Sequence, residues 1–332
     1  MDSSNNNYCD KVVFKSVLFN VFKDGRFVLR FPDATGQKVP PLDDLATGVK
    51  IKDVQISPEV STRIFLPRVE CTTTTINTCN KLPLLLYIHG GGFCMESASS
   101  KVYTRYVSNL SFEANIIVVS VEYNLFPTRA LPACYEDSWA ALQWVAAHEK
   151  GCGPDPWINH HADLQRVFVG GDSAGGNISH TVLARVGPTR KLGESVRVEG
   201  MILGHPYFGI GGRDEEMWLY MCPTNEGPND RRLKPTLEDL GRLGCGRVLV
   251  LVAENDPMNV AGKRYVENLI KSGWKGMVEI VVNKNKNHCF HLYKLDDPEA
   301  IANMRRITSF IHHRNNDVKD IKQLNSHLHS CL

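Results

Sequence analysis

The sequence predicts an α/β class with a mostly parallel central sheet flanked by helices, and three observations carry that prediction. Six apolar runs of strand length recur along the chain, amphipathic helical patterns lie between them, and a glycine-rich turn closes one run and opens a helix. Continuous Val/Ile/Leu runs alternating with helices indicate strands covered on both faces, as in a parallel sheet.

The elements follow in order. Residues 17–31 read as a hairpin, VLFNVF and FVLRF about the turn Lys23-Asp24-Gly25-Arg26, because Asp-Gly between apolar runs favours a hairpin turn. A loop rich in Pro, Asp and Gly follows, and the alternation over 52–66 then predicts a strand. The stretch 69–81, rich in Thr and Asn, is expected to be an exposed loop. The buried strands are 82–89, 114–123, 166–170, 198–203, 247–253 and 278–282, and the helices are 132–150, 174–186, 260–272 and 298–313. Tyr135, Trp139 and Leu142 recur at helical spacing and are expected core contacts. Trp144 and Trp218 fit a pocket wall or plain burial equally well. No repeat and no linker interrupts the pattern. Residues 1–332 are therefore expected to form a single domain, with about 1–50 as an N-terminal cap or hairpin segment, about 209–244 as a short cap-like insertion and 315–332 as a loose polar tail.

Composition excludes several function classes. The 332 residues carry 38 basic and 36 acidic side chains, a net charge of +2, too balanced to attract nucleic acid or an anionic membrane. No run approaches the roughly 18 apolar residues of a membrane span. The polar start MDSSNNNYCDK lacks the apolar core of a signal peptide, and the 10 cysteines form no CxxC pair. Reduced thiols and a cytoplasmic location are expected. His160, His161, His312 and His313 are adjacent pairs in loops or at a helix end, expected to be solvated, and no metal set or cofactor motif appears.

The chemistry concentrates at two glycine-rich turns. Gly171-Asp172-Ser173-Ala174-Gly175-Gly176 follows the strand RVFVG and opens the helix GNISHTVLARV, the strand–turn–helix context of a nucleophile elbow. Ser173 must sit in a strained turn where side chains at Gly171 and Gly175 would collide, and the helix behind it points its positive end at the site. His89-Gly90-Gly91-Gly92 closes the strand LPLLLYI, and glycines at a strand end can bring backbone N–H groups against an oxyanion. His89 is read as fixing that loop rather than carrying a proton. A serine needs a base and an orienting carboxylate. After RVLVLVA, Glu254 and Asp256 stand at the sheet edge, and after MVEIVV the run NKNKNHCFHLY supplies His288 and His291. Spacing alone leaves Glu254 open against Asp256, and His291 against His288.

These residues resemble the plant carboxylesterases of the hormone-sensitive-lipase-like group of α/β-hydrolases. The likeness runs from about Val21 to His313 through FKDG, TGVKIKDV, YIHGGGFCMESA, LPACYEDSWAALQWVA, GGDSAGGNISH, HPYF, GCGRVLVLVAEND and NHCFHLYK. It implies the α/β-hydrolase fold with an N-terminal cap segment, Ser173 as nucleophile, Asp256 as orienting carboxylate and His288, the first of the H-x-F-H pair, as base. It also implies an oxyanion hole of Gly90, Gly91, Gly92 and Ala174, with backbone N–H groups as donors. Two departures stand out. Where relatives read YRLAPEH, this chain has Tyr123-Asn124-Leu125-Phe126-Pro127-Thr128-Arg129, near the catalytic face, so pocket polarity can differ there. The stretch 209–244, which carries pocket-walling helices in relatives, is short, which is expected to open the pocket and cost stability.

The implied activity is hydrolysis of a small carboxylic ester through an acyl-enzyme, by a monomer or homodimer and without a cofactor. Two other readings stand on the same scaffold. Relatives include 2-hydroxyisoflavanone dehydratases and alkaloid-forming cyclases, which use the oxyanion loop and His without an acyl-enzyme. The dehydratases usually carry Thr at the nucleophile position and the cyclases often lose part of the triad, whereas this chain keeps all three members. The gibberellin receptors have lost the catalytic His, which this chain retains as His288.

Overall fold

The structure, a computed structural model, describes residues 10–31, 36–69 and 81–313. The expected loop residues 70–80 and the tail 315–332 lie outside the described residues.

The chain begins with a small antiparallel sheet of β1 (Val12–Lys15), β2 (Phe19–Phe22) and β3 (Phe27–Leu29). β2 and β3 are the expected hairpin, turned at Gly25 with φ of 85°. β1 was not expected; it pairs with β2. The single strand expected over 52–66 is two: β4 (Lys50–Gln55) and β5 (Ser61–Leu66) form an antiparallel pair about a turn in which Ile56 N–H donates to Val60 O. Pro58, which lacks a ladder donor, sits in that turn.

The remaining strands are β6 (Leu82–Ile88), β7 (Ile117–Glu122), β8 (Ala162–Asp172), β9 (Val198–Gly204), β10 (Arg247–Ala253) and β11 (Met277–Asn283). With β4 and β5 they form an eight-stranded sheet in the order β11-β10-β9-β8-β6-β7-β5-β4. All neighbours pair in parallel except across β5, which runs against the rest. Helices α1 (Lys101–Ala114), α2 (Ala133–Ala146), α3 (Pro156–His161), α4 (Ala174–Val186), α5 (Gly212–Met221), α6 (Leu237–Gly241), α7 (Asn259–Lys271), α8 (Phe290–Tyr293) and α9 (Pro298–His312) complete the described elements.

Alternate strand residues feed two cores. Leu84, Leu86, Val167 and Val169 pack with Leu142 of α2, Ile178 of α4 and Val266 of α7. Leu85, Tyr87 and Phe168, one residue out of phase, pack with Tyr106 of α1 and Phe310 of α9. A period of two on strands buried on both faces is why these segments read as continuous apolar runs.

α1 is absent from the expected helices. Ser100 caps its first turn by accepting from Tyr103 N–H, and Asn115, in the left-handed region at φ 47°, ends it. Of the aromatic residues, Tyr135 and Leu142 are core, Trp139 is half-buried beneath Arg185, and Trp218 is fully buried with its indole N–H on Tyr135 Oη. His160, His312 and His313 are exposed and His161 half-buried.

The short 209–244 stretch folds as α5, a turn and α6. The Arg232 guanidinium grips Asp230 by two bonds of 2.8 and 2.6 Å, and Asp230 also accepts from Glu226 N–H. An aromatic cluster joins this stretch to the N-terminal sheet: Phe14 stacks on Tyr220 at 3.9 Å, and Phe19 and Phe27 meet Phe126. Phe126 of the altered segment therefore packs against the N-terminal sheet, Asn124 and Arg129 turn to Asp137 and Glu59, and residues 123–129 do not line the cavity at Ser173, contrary to the expected effect on pocket polarity.

Candidate active site

β8 ends at Asp172, Ser173 follows with φ 53° and ψ −119°, and α4 begins at Ala174. A non-glycine residue at such angles is strained and is held only because its surroundings over-determine it. Ser173 N–H donates to Gly204 O at 2.8 Å, and its carbonyl accepts from the N–H of Gly176 and Tyr207. The flanking glycines are required by close approach: a Cβ on Gly171 or Gly175 would fall on the carbonyl oxygen of Ile88 at the end of β6.

Ser173 Oγ lies 2.9 Å from Nε2 of His288, and Nδ1 of the same ring lies 2.6 Å from Oδ2 of Asp256. Asp256 stands just past β10, its Oδ1 accepting from Met258 N–H at 2.9 Å. Burial pushes its carboxyl up, the bond and charge of His288 and the Met258 N–H pull it the other way, and it lies well below the usual carboxylate range. Of the two pairs left open by spacing, Asp256 and His288 are the members that stand in the chain to Ser173 Oγ. Glu254 is exposed and accepts from Asn285 N–H, and His291 is buried behind the site between Tyr106 and His205.

Around Ser173 the amides of Gly91, Gly92 and Ala174 have no hydrogen-bond partner among the described residues. Ala174 N–H is free because it opens α4, where no preceding turn supplies a carbonyl. Gly91 and Gly92 line the cavity with φ of 97° and 58°. Gly90 corrects the expectation of a fourth donor. Its N–H already donates to Tyr103 Oη at 2.8 Å, so it fixes the loop instead. His89 is fully buried and stacked on Tyr123 at 4.2 Å, with Nδ1 on Gly90 O at 2.8 Å. Tyr123 Oη in turn donates to His89 O.

The cavity at Ser173 has a volume of about 180 Å³. Its wall draws on the N-terminal sheet through Val17 and Leu18, on α5 through Asp214 and Met217, and on Met258 and Leu292. Several residues here escaped the sequence reading. Asp172 is buried and accepts from Tyr87 Oη at 2.6 Å and Tyr103 Oη at 2.7 Å, and Tyr103 thereby links the elbow to the Gly90 loop. The only available signal was a charged residue inside the elbow motif. His205, in HPYF, and Asp214, in the first turn of α5, gave no local signal of their neighbours. His205, His288 and Cys289 bring potential metal-ligand atoms together among the described residues. Most of those atoms are engaged: Cys289 Sγ donates to Asp172 and burial pushes its thiol well up, His288 faces Ser173 and Asp256 with its two nitrogens, and His205 Nδ1 accepts from Cys289 N–H, while His205 Nε2 has no partner. The arrangement can deliver a serine alkoxide to a carbonyl whose oxygen faces three free N–H groups.

Known proteins resemble this chain. A family model described as alpha/beta hydrolase fold matches residues 85–217 and 212–292. The chain is 39% identical over 307 residues to "Probable carboxylesterase 1" of Arabidopsis thaliana, covering 88% of this chain and 95% of that protein. It is 37% identical over 318 residues to the 2-hydroxyisoflavanone dehydratase of Glycyrrhiza echinata, covering 89% of this chain and 94% of that one. Among solved structures, an esterase of Pyrobaculum calidifontis superposes with a TM-score of 0.62 at 23% identity, over 79% of this chain and 84% of that one, a likeness of fold.

Proposed function

This chain belongs to the plant carboxylesterase family of α/β-hydrolases, and we propose that it hydrolyses small carboxylic esters through an acyl-enzyme on Ser173. The observation that carries this reading is the unbroken relay Ser173 Oγ–His288–Asp256, at 2.9 and 2.6 Å, beside three unpartnered amides. His288 Nε2 takes the Ser173 proton as Oγ attacks the ester carbonyl. The oxyanion that forms is held by the N–H groups of Gly91, Gly92 and Ala174. Asp256 stays ionised, keeps the proton on Nδ1 and stabilises the imidazolium. His288 then protonates the departing alcohol, and a water, deprotonated by the same nitrogen, releases the acid.

The test is a p-nitrophenyl short-chain ester with Ser173→Ala and a fluorophosphonate label. The expected result is a loss of roughly 10³-fold or more in kcat and a label on Ser173 that the variant lacks. Wild-type turnover by Ser173→Ala overturns the assignment.

The likeness to the 2-hydroxyisoflavanone dehydratase supports a second reading, elimination with His288 as the acid–base group and no bond to Ser173. Failure of the phosphonate to label Ser173 in the folded protein favours it.

A further inference from the structure

The substrate cavity carries one feature that ester hydrolysis alone does not use. Its wall is largely apolar, formed by residues such as Leu18, Met95, Met217 and Leu292, yet Asp214 stands in it. The Asp214 carboxylate makes no hydrogen bond and no ion pair among the described residues. Its neighbours differ: Glu215 is paired with Lys234 at 2.9 Å, Asp230 with Arg232, and Asp172 with two tyrosines. Among the described residues no Lys or Arg lines the cavity. Of the two other carboxylates on the wall, Asp172 is held by its tyrosines, and Glu96 has no cation among the described residues, its Oε2 buried with no partner.

Asp214 is also placed at a defined reach from the reacting centre. Tyr207 donates its backbone N–H to the Ser173 carbonyl at 2.9 Å and its hydroxyl to the Asp214 carbonyl at 2.5 Å. One tyrosine therefore spans the distance between the nucleophile's backbone and residue 214. Burial pushes the Asp214 carboxyl up, with His288 pulling it back down, the behaviour of a half-buried carboxylate that lacks a counter-ion. An unpaired carboxylate in an apolar wall attracts an organic cation more strongly than the same pair would attract in water, and the apolar wall suits the cation's alkyl groups.

We propose that Asp214 anchors a positively charged amine of the substrate, so that this enzyme selects esters bearing an alkylammonium group within a short reach of the carbonyl. This rests on the esterase reading above. A neutral ester leaves Asp214 unpaired in the complex, whereas a cationic one pairs it in both ground and transition states.

The experiment compares acetylcholine with 3,3-dimethylbutyl acetate, esters of near-identical shape that differ in a quaternary nitrogen against a quaternary carbon. The expected ratio of kcat/KM, cationic over neutral, is tenfold or more for the wild type, close to one for Asp214→Asn and intermediate for Asp214→Glu, which keeps the charge. A wild-type ratio near or below one overturns the proposal, as does a ratio that Asp214→Asn leaves unchanged. Binding of tetraethylammonium by calorimetry reads the anchor without turnover. A tenfold weaker Kd in Asp214→Asn supports it, and equal Kd values in two folded proteins overturn it. If neither ester turns over and Ser173 is not labelled, the esterase reading fails, and the calorimetric comparison alone decides the anchor.

Discussion

Cys289 donates its backbone N–H to Nδ1 of the buried His205 at 3.1 Å, which ties the residue next to His288 to the end of β9. Because Nδ1 accepts, the proton of the neutral ring is on Nε2. Burial, the largest influence, lowers the His205 pKa and keeps the ring neutral. Asp256 Oδ2, 3.6 Å from Nδ1, is beyond hydrogen-bond reach. Asn at 205 can present an acceptor near the Nδ1 position, and Leu cannot. His205→Leu is expected to lower kcat roughly 10- to 100-fold with little change in KM, since a displaced base loses reactive geometry. His205→Asn is expected to recover most of it. Equal losses in the two variants would mean that only the ring's bulk matters.

Asp256 gives a prediction in pH. Its folded-state pKa is depressed, so its contribution to stability is full above the unfolded value of about 3.9 and is lost as pH falls through the folded value. The stability gap between wild type and Asp256→Asn, read by urea unfolding, should stay flat from about pH 7 to about pH 5 and narrow below about pH 4. At neutral pH the same variant should lose roughly 10³- to 10⁴-fold in kcat, through loss of the tautomer that His288 needs. A gap that closes already between about pH 7 and about pH 5 contradicts the depression.

Much of this was legible because it is local. β6 to β11 alternate with helices in the sequence, and the elbow at Ser173, the HGGG loop and the order of Asp256 and His288 lie on strand ends that a parallel sheet brings to one edge. Where local signals compete, the reading failed. In α1, Ser108 and Ser111 are buried among Tyr103, Tyr106 and Leu110, so the apolar face is interrupted by polar letters, and the strand expected from Ala114 absorbed the helix's last residue. The cavity wall was illegible for a different reason. Leu18, Asp214 and Met258 meet across three separate elements, and Gly90 differs from Gly91 only because Tyr103 of α1 reaches its N–H.

Leu18 and Gly92 should be energetically coupled. Gly92 sits at φ 58°, and a Cβ there would overlap Leu18 Cδ1 from the N-terminal sheet. Gly92→Ala is expected to cost about 1–2 kcal/mol in backbone strain and to lower kcat roughly tenfold by displacing an oxyanion donor. Leu18→Ala in that background should restore part of the activity, giving an interaction of about 0.5 kcal/mol or more in a double-mutant cycle. Strict additivity would show that Leu18 does not press on the loop.

The last prediction separates support of the oxyanion loop from support of the elbow. Tyr103 Oη accepts from Gly90 N–H and donates to Asp172 Oδ2, while Tyr87 Oη donates only to Asp172, on Oδ1. Tyr103→Phe therefore leaves a buried N–H unpaired and takes one donor from Asp172, whereas Tyr87→Phe takes a donor and touches no loop amide. Both should lower stability by about 1–3 kcal/mol in urea unfolding, the cost of leaving a buried polar group unpaired. Only Tyr103→Phe should also lower kcat, roughly tenfold, because Gly90 is free to turn and the amides of Gly91 and Gly92 lose their aim. If the two variants lose activity equally, the path to catalysis runs through Asp172 and the elbow. If Tyr87→Phe loses stability alone, the Gly90 bond is what holds the oxyanion loop in place.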